Sequence, residues 1–197
     1  MLKTKLLNNR NKYIIVSAIL LLGVIIGAVY GSHNAITDNG YFANFISAYK
    51  LHGASSRDTF IRAVLSNLRP IALIWISGWF LLLIPLNFIQ IVSKGFGLGY
   101  TVAYLISVSG FKGFLFSFSS LFIQNLIFIP VLILLSVYEL NFAIAFSAKN
   151  SGIKQRRKMT ANNFITFIFT IILVLILSLI DAHIVPIFIK IICNNMM

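Results

Sequence analysis

The sequence predicts an all-α, polytopic integral membrane protein: a helix bundle with about five transmembrane helices, and amphipathic helices in its first outer loop. Three observations carry that prediction. Of 197 residues, 59% are hydrophobic and only 10% are charged, where soluble domains carry about 25% charged residues. Mean hydropathy is +0.94, more apolar surface than a soluble fold could hide behind so few polar groups. The apolar residues also fall in successive runs, and a helix needs about twenty of them to cross the hydrocarbon core. Residues 1–197 read as one membrane domain.

Residues 1–12 form a basic tail holding Lys3, Lys5, Arg10 and Lys12, and Tyr13 to Tyr30 follows as eighteen residues without a charge. The run is long for a signal peptide and no A-x-A site follows, so it reads as a retained signal-anchor helix. Residues 31–69 form the outer loop. Within it, Tyr41, Phe42, Phe45, Ile46 and Tyr49 draw an apolar stripe at helical spacing, and Phe60, Ile61, Val64, Leu65 and Leu68 repeat it. His52-Gly53-Ala54-Ser55-Ser56 supplies a turn and a capping Ser. These are two amphipathic helices, lying on a membrane surface or packed over the spans.

Pro70 opens the second span, which runs to about Val92 with Pro85 kinking it. Ser93-Lys94-Gly95 reads as a short turn. Phe96 to about Ser109 is a third apolar run of fourteen residues, which crosses only by extending into its flanks, or is re-entrant. Gly110-Phe111-Lys112-Gly113 is another turn. Phe114 to Ala148, thirty-five residues, is too long for one straight span. Pro130 divides it into an entering segment and a continuing helix. Residues 149–158 form a basic loop, and the last span runs from about Asn163 to Ile184, interrupted by Pro186.

The charge balance of +12 would suggest nucleic acid in a soluble protein. Here no basic domain remains outside the spans, so no nucleic acid partner is expected, and Lys and Arg serve to orient the chain. With the N-terminus cytoplasmic and the C-terminus outside, ten basic residues lie inside and six outside.

The inventory for chemistry is thin. The acids are Asp38, Asp58, Glu139 and Asp181, the histidines are His33, His52 and His183, and Cys193 is alone. There is no H-E-x-x-H and no G-x-S-x-G, and Gly95-Phe96-Gly97-Leu98-Gly99 lacks the spacing of a nucleotide loop. We therefore expect no catalytic residues, no metal, no cofactor and no enzymatic activity. Glu139 lies well inside an apolar run. It reads either as a proton or substrate site or as a residue near the inner interface that snorkels toward the basic loop. Asp181 and His183 read as a pair at the outer interface. Gly23, Gly27 and Gly31, and again Gly95 and Gly99, recur every four residues, a spacing that lets helix backbones approach closely in lipid. It serves the chain's own helices or a partner's, and leaves an oligomer open. Gln124 and Asn125 should hydrogen-bond within the bundle.

The stretch from Ser66 to Tyr104 resembles the stage II sporulation protein M family. The likeness rests on Asn67-Leu68, Gly78, Pro85 and the Lys94-Gly95-Phe96-Gly97-Leu98-Gly99 run, and extends through Gly110 to Pro130. One departure stands out. Broader members of the family carry a His-Gly-x-x-Glu-x-Pro run before the proline, where this chain has Gln124-Asn125-Leu126-Ile127-Phe128-Ile129-Pro130. The resemblance implies a bacterial membrane protein of the sporulation septum on the mother-cell side. It implies a scaffold that organises membrane-anchored peptidoglycan-degrading partners, resembling stage II sporulation proteins D and P, during forespore engulfment. On that reading Tyr41, Phe42, Phe45, Tyr49, Phe60 and Leu65 are the candidate partner contacts, with docking on the membrane surface as the other use of the same stripes. The alternative function is a permease subunit working with a separate ATPase.

Overall fold

The computed structural model describes residues 10–36, 56–147 and 153–195, and among them it contains helices and no strands. Helix α1 is Arg10–Ile36, α2 is Ser56–Trp79, α3 is Ile84–Ser147 and α4 is Ile153–Asn195. A 3-10 turn at Leu81–Leu83 joins α2 to α3. Helix α3 is two limbs in one, because Gly110 takes φ 58° and ψ −134° and reverses the chain. Glycine alone holds that backbone without a Cβ penalty. Beyond the reversal the limbs close tightly, with Gly113 set against the Leu105 carbonyl.

Five segments are long and apolar enough to cross a membrane: Arg10–Ala35, Phe60–Trp79, Leu81–Phe111, Asn125–Ser147 and Ile153–Ile180. The number agrees with the sequence reading, and several boundaries do not. The second crossing segment begins near Phe60, so the expected second amphipathic helix is the first part of α2. Pro70 lies inside that helix. Bundle neighbours make a mid-span proline tolerable, since they can satisfy the carbonyl it frees. The break comes at Phe80, which is extended (φ −129°, ψ 121°) and whose carbonyl accepts from Leu83 N–H at 2.9 Å. Pro85 then sits in the first turn of α3, where its missing N–H costs nothing.

The expected turn at Ser93-Lys94-Gly95 is continuous helix. Gly95 serves there as a packing position, discussed below. The short third run therefore extends through its N-terminal flank to make one crossing segment. Helix continues through Pro130 and through position 186, so neither proline divides its element. The basic loop is also shorter than expected: Lys154, Arg156, Arg157 and Lys158 form the first turns of α4. The first stripe, Tyr41, Phe42, Phe45 and Tyr49, lies outside the described residues, as do Gln124, Asp181 and His183 in their side-chain placement.

The core gathers side chains from all four helices, among them Val16, Ile71, Ile91, Phe128, Leu132 and Val174. The second limb of α3 is the most enclosed element, while α1 and α4 present Ile, Leu and Phe outward. An apolar exterior around a core of the same character is what lipid solvation permits.

Candidate functional site

In a bundle whose core and exterior are both apolar, buried polar groups are the informative features. The helices bring them together in three layers between the Lys12 end and the Gly110 end.

The first layer is centred on Glu139, which is fully buried. The side-chain amide of Asn163 on α4 donates to both carboxyl oxygens, at 3.0 and 2.9 Å. Asn163 Oδ1 in turn accepts from Trp75 Nε1 on α2 at 2.5 Å. The carboxyl group lies against Gly78, where any Cβ would meet Oε2. Thus α2, α3 and α4 meet at one hydrogen-bonded chain. The expectation that Glu139 snorkels to the interface is corrected: its side chain points into the bundle, because Gly78 leaves the space and Asn163 the donors. Aromatic rings close the layer. Trp75 stacks on Phe167 at 4.3 Å between ring centroids, and Trp79 meets Phe142, Phe146 and Phe164 edge-on. Arg156 stands 5.6 Å over the Phe146 ring. At the same level Lys12 Nζ donates to Asn141 Oδ1, tying α1 to the second limb of α3.

The second layer is a reciprocal pair: Ser136 Oγ donates to Asn87 Oδ1 at 2.7 Å, and Asn87 Nδ2 donates to the Ser136 carbonyl at 3.2 Å. It joins the two limbs of α3. The third layer holds Lys94, whose Nζ donates to Asn67 Oδ1 at 3.3 Å and stands 4.5 Å over the Phe128 ring.

The glycines lock α1 onto the first limb of α3. Gly23, Gly27 and Gly31 face the carbonyls of Val92, Phe96 and Tyr100, each four residues further on. Gly95 and Gly99 answer by facing the carbonyls of Leu20 and Val24. Equal steps in the same direction make the two helices parallel. Every one of these glycines would drive a Cβ into the opposing backbone, so all five are occupied within the chain. Van der Waals packing of this kind is the principal attraction between helices in lipid.

The candidate contact residues on α2 are placed differently from one another. Leu65 is 62% exposed, and Phe60 is half-buried.

A family model described as stage II sporulation protein M matches residues 16–186, which takes in the Glu139, Asn87 and Lys94 clusters and both halves of the glycine interface, and leaves out Lys12. The chain belongs to this family. Family membership and the crossing-length helices together make it a sporulation-related membrane protein. Searches of curated proteins and of solved structures returned no significant match.

Sequence reasoning missed the partners of Glu139 and the interior position of Lys94. The available signal was the set of Asn and Trp residues inside apolar runs. A buried amide in lipid must find a partner, and Asn67, Asn87 and Asn163 are all fully buried.

Proposed function

We propose that the protein is a non-enzymatic membrane scaffold that holds peptidoglycan-degrading partners at the sporulation septum. The observation that carries this reading is the family match over residues 16–186. The packing is consistent with it. Helices α1 and α3 are locked backbone to backbone, and α2, α3 and α4 share a buried hydrogen-bonded chain. A rigid body of that kind suits anchoring. The partners are membrane-anchored wall hydrolases met on the outer side, with the N-terminus cytoplasmic and the C-terminus outside. Tyr41, Phe42, Phe45 and Tyr49, with Phe60 and Leu65, supply the contact surface.

The test is crosslinking of a tagged, functional copy in sporulating cells, followed by identification of what is captured. Wall hydrolases should be enriched, and should be lost when Phe42, Phe45 and Leu65 are changed to Ser while membrane insertion is preserved. Capture of an ATPase subunit with no wall enzyme would overturn the scaffold reading and favour a permease.

A further inference from the structure

Four of the first six residues of α4 are basic, Lys154, Arg156, Arg157 and Lys158, and all four are exposed. They do not share a face. At 3.6 residues per turn, Lys154, Arg157 and Lys158 fall within about 100° of the helix circumference, and Arg156 lies roughly opposite. Arg156 stands over the Phe146 ring, on the side of α4 that carries the buried Asn163 and Val174. Lys12, at the same end of the bundle, is likewise turned inward, onto Asn141.

The sector holding Lys154, Arg157 and Lys158 continues along the helix as Ile165, Ile168, Ile172 and Ile176, each at least half exposed. Apolar side chains turned out of a membrane bundle face lipid. Ala161 is the residue of that sector between charge and stripe, and it is exposed, so nothing bulky separates the two. The stripe is about 17 Å long at 1.5 Å per residue, the depth of one half of a hydrocarbon core about 30 Å thick. Lys158 stands about 10 Å before Ile165, at headgroup level. Among the described residues at this end the one acid is Glu139, which is buried and bonded to Asn163, so no described carboxylate faces the sector.

Orienting a chain requires cations on one side of the bilayer, not on one face of a helix. Cations confined to the lipid-facing sector, directly before an apolar stripe one leaflet deep, match an amphiphile lying in its natural direction: phosphate at the rim and hydrocarbon chain toward the midplane. We infer that this face of α4 binds an anionic phospholipid of the adjoining leaflet, with the headgroup phosphate among Lys154, Arg157 and Lys158 and an acyl chain along Ile165, Ile168 and Ile172. Arg forks onto phosphate oxygens and Lys acts as a point charge beside them. Basic clusters at the end of a membrane helix suit anionic headgroups.

The test titrates the full chain, purified and delipidated in neutral detergent, with phosphatidylglycerol, phosphatidylcholine or inorganic phosphate, and reads bound species by native mass spectrometry. Phosphatidylglycerol should bind more tightly than either of the others. Each cation beside an anionic headgroup is worth about fivefold in affinity, so Arg157→Gln should weaken phosphatidylglycerol by about that factor and Lys154→Gln/Arg157→Gln/Lys158→Gln by about a hundredfold. Arg156→Gln, which removes the neighbouring charge from the other face, should have at most a small effect. The pair Gln155→Arg/Arg157→Gln keeps the net charge while moving one cation out of the sector, and should lose as much as Arg157→Gln alone. Where the triple variant does not insert, this pair carries the test. Equal binding of phosphatidylcholine would overturn the site and leave these cations to an acidic protein. Unchanged binding by the triple variant or by the charge-preserving pair would overturn it as well. A loss at Arg156→Gln equal to that at Arg157→Gln would overturn the assignment to this face, and inorganic phosphate bound as tightly as the lipid would overturn the lipid assignment.

Discussion

Gly27 and Gly97 lie on the same two packed helices and have opposite surroundings. A Cβ at Gly27 meets the Phe96 backbone, and one at Gly97 meets nothing within 4 Å. Gly27→Ala should therefore destabilise by about 1–3 kcal/mol, the cost of overpacking. Gly97→Ala should be neutral or stabilising, by up to about 1 kcal/mol, through helix propensity. Thermal or denaturant unfolding in detergent compares them directly. Asn163 is the hinge of the Glu139 layer. Asn163→Ala leaves a buried carboxyl group and the Trp75 N–H without partners, so it should cost about 1–3 kcal/mol for each group left unsatisfied. Adding Glu139→Ala should cost less than the sum of the two single changes, because they remove one shared interaction. A double-mutant cycle reads that coupling, and strict additivity would show that the two residues act independently.

The elements depend on where the chain is allowed to reverse. Gly110 is the only described residue with positive φ, and the second limb of α3 reaches its place only through that reversal. Gly110→Ala should cost about 1–3 kcal/mol, the strain of a positive-φ, negative-ψ backbone that is nearly reserved for glycine, although no neighbour would be struck. The Gly97→Ala variant separates this conformational cost from any general effect of alanine, again by unfolding in detergent. The proline positions follow a related logic. Pro70 and Pro130 stay within helices and Pro85 begins one. A proline removes one hydrogen bond locally, and whether the helix ends there depends on what lies alongside. The stretch around Ser93-Lys94-Gly95 is the clearest example of sequence ambiguity. Small and polar residues in that order suit a turn, and equally suit a helix face pressed against Leu20 and Val24.

At the scale of the molecule, five crossing-length helices, an odd number, would place the two termini on opposite sides of a membrane. The basic residues gathered before α1 and at the start of α4 argue for a cytoplasmic N-terminus. In intact cells a membrane-impermeant thiol reagent should label Cys193, the single native cysteine. A Cys193→Ser variant carrying Asn8→Cys should be labelled only after the cells are opened. The reverse pattern would invert the topology and with it the side on which partners are met.

The sequence by itself determined the class of protein, the number of crossing helices and the family likeness. Partition into a bilayer depends on the summed transfer free energies of contiguous residues, and scarce charge with long apolar runs expresses that sum locally. Glycine spacing likewise announced close helix packing. Only the tertiary structure decided which helices the glycines join and that Glu139 turns inward to Asn163. Those outcomes are set by residues 24 or more positions apart in the chain, through backbone approach and pairing of buried polar groups. The choice of partner in either has no local periodicity, so it could not be read before the helices were laid side by side.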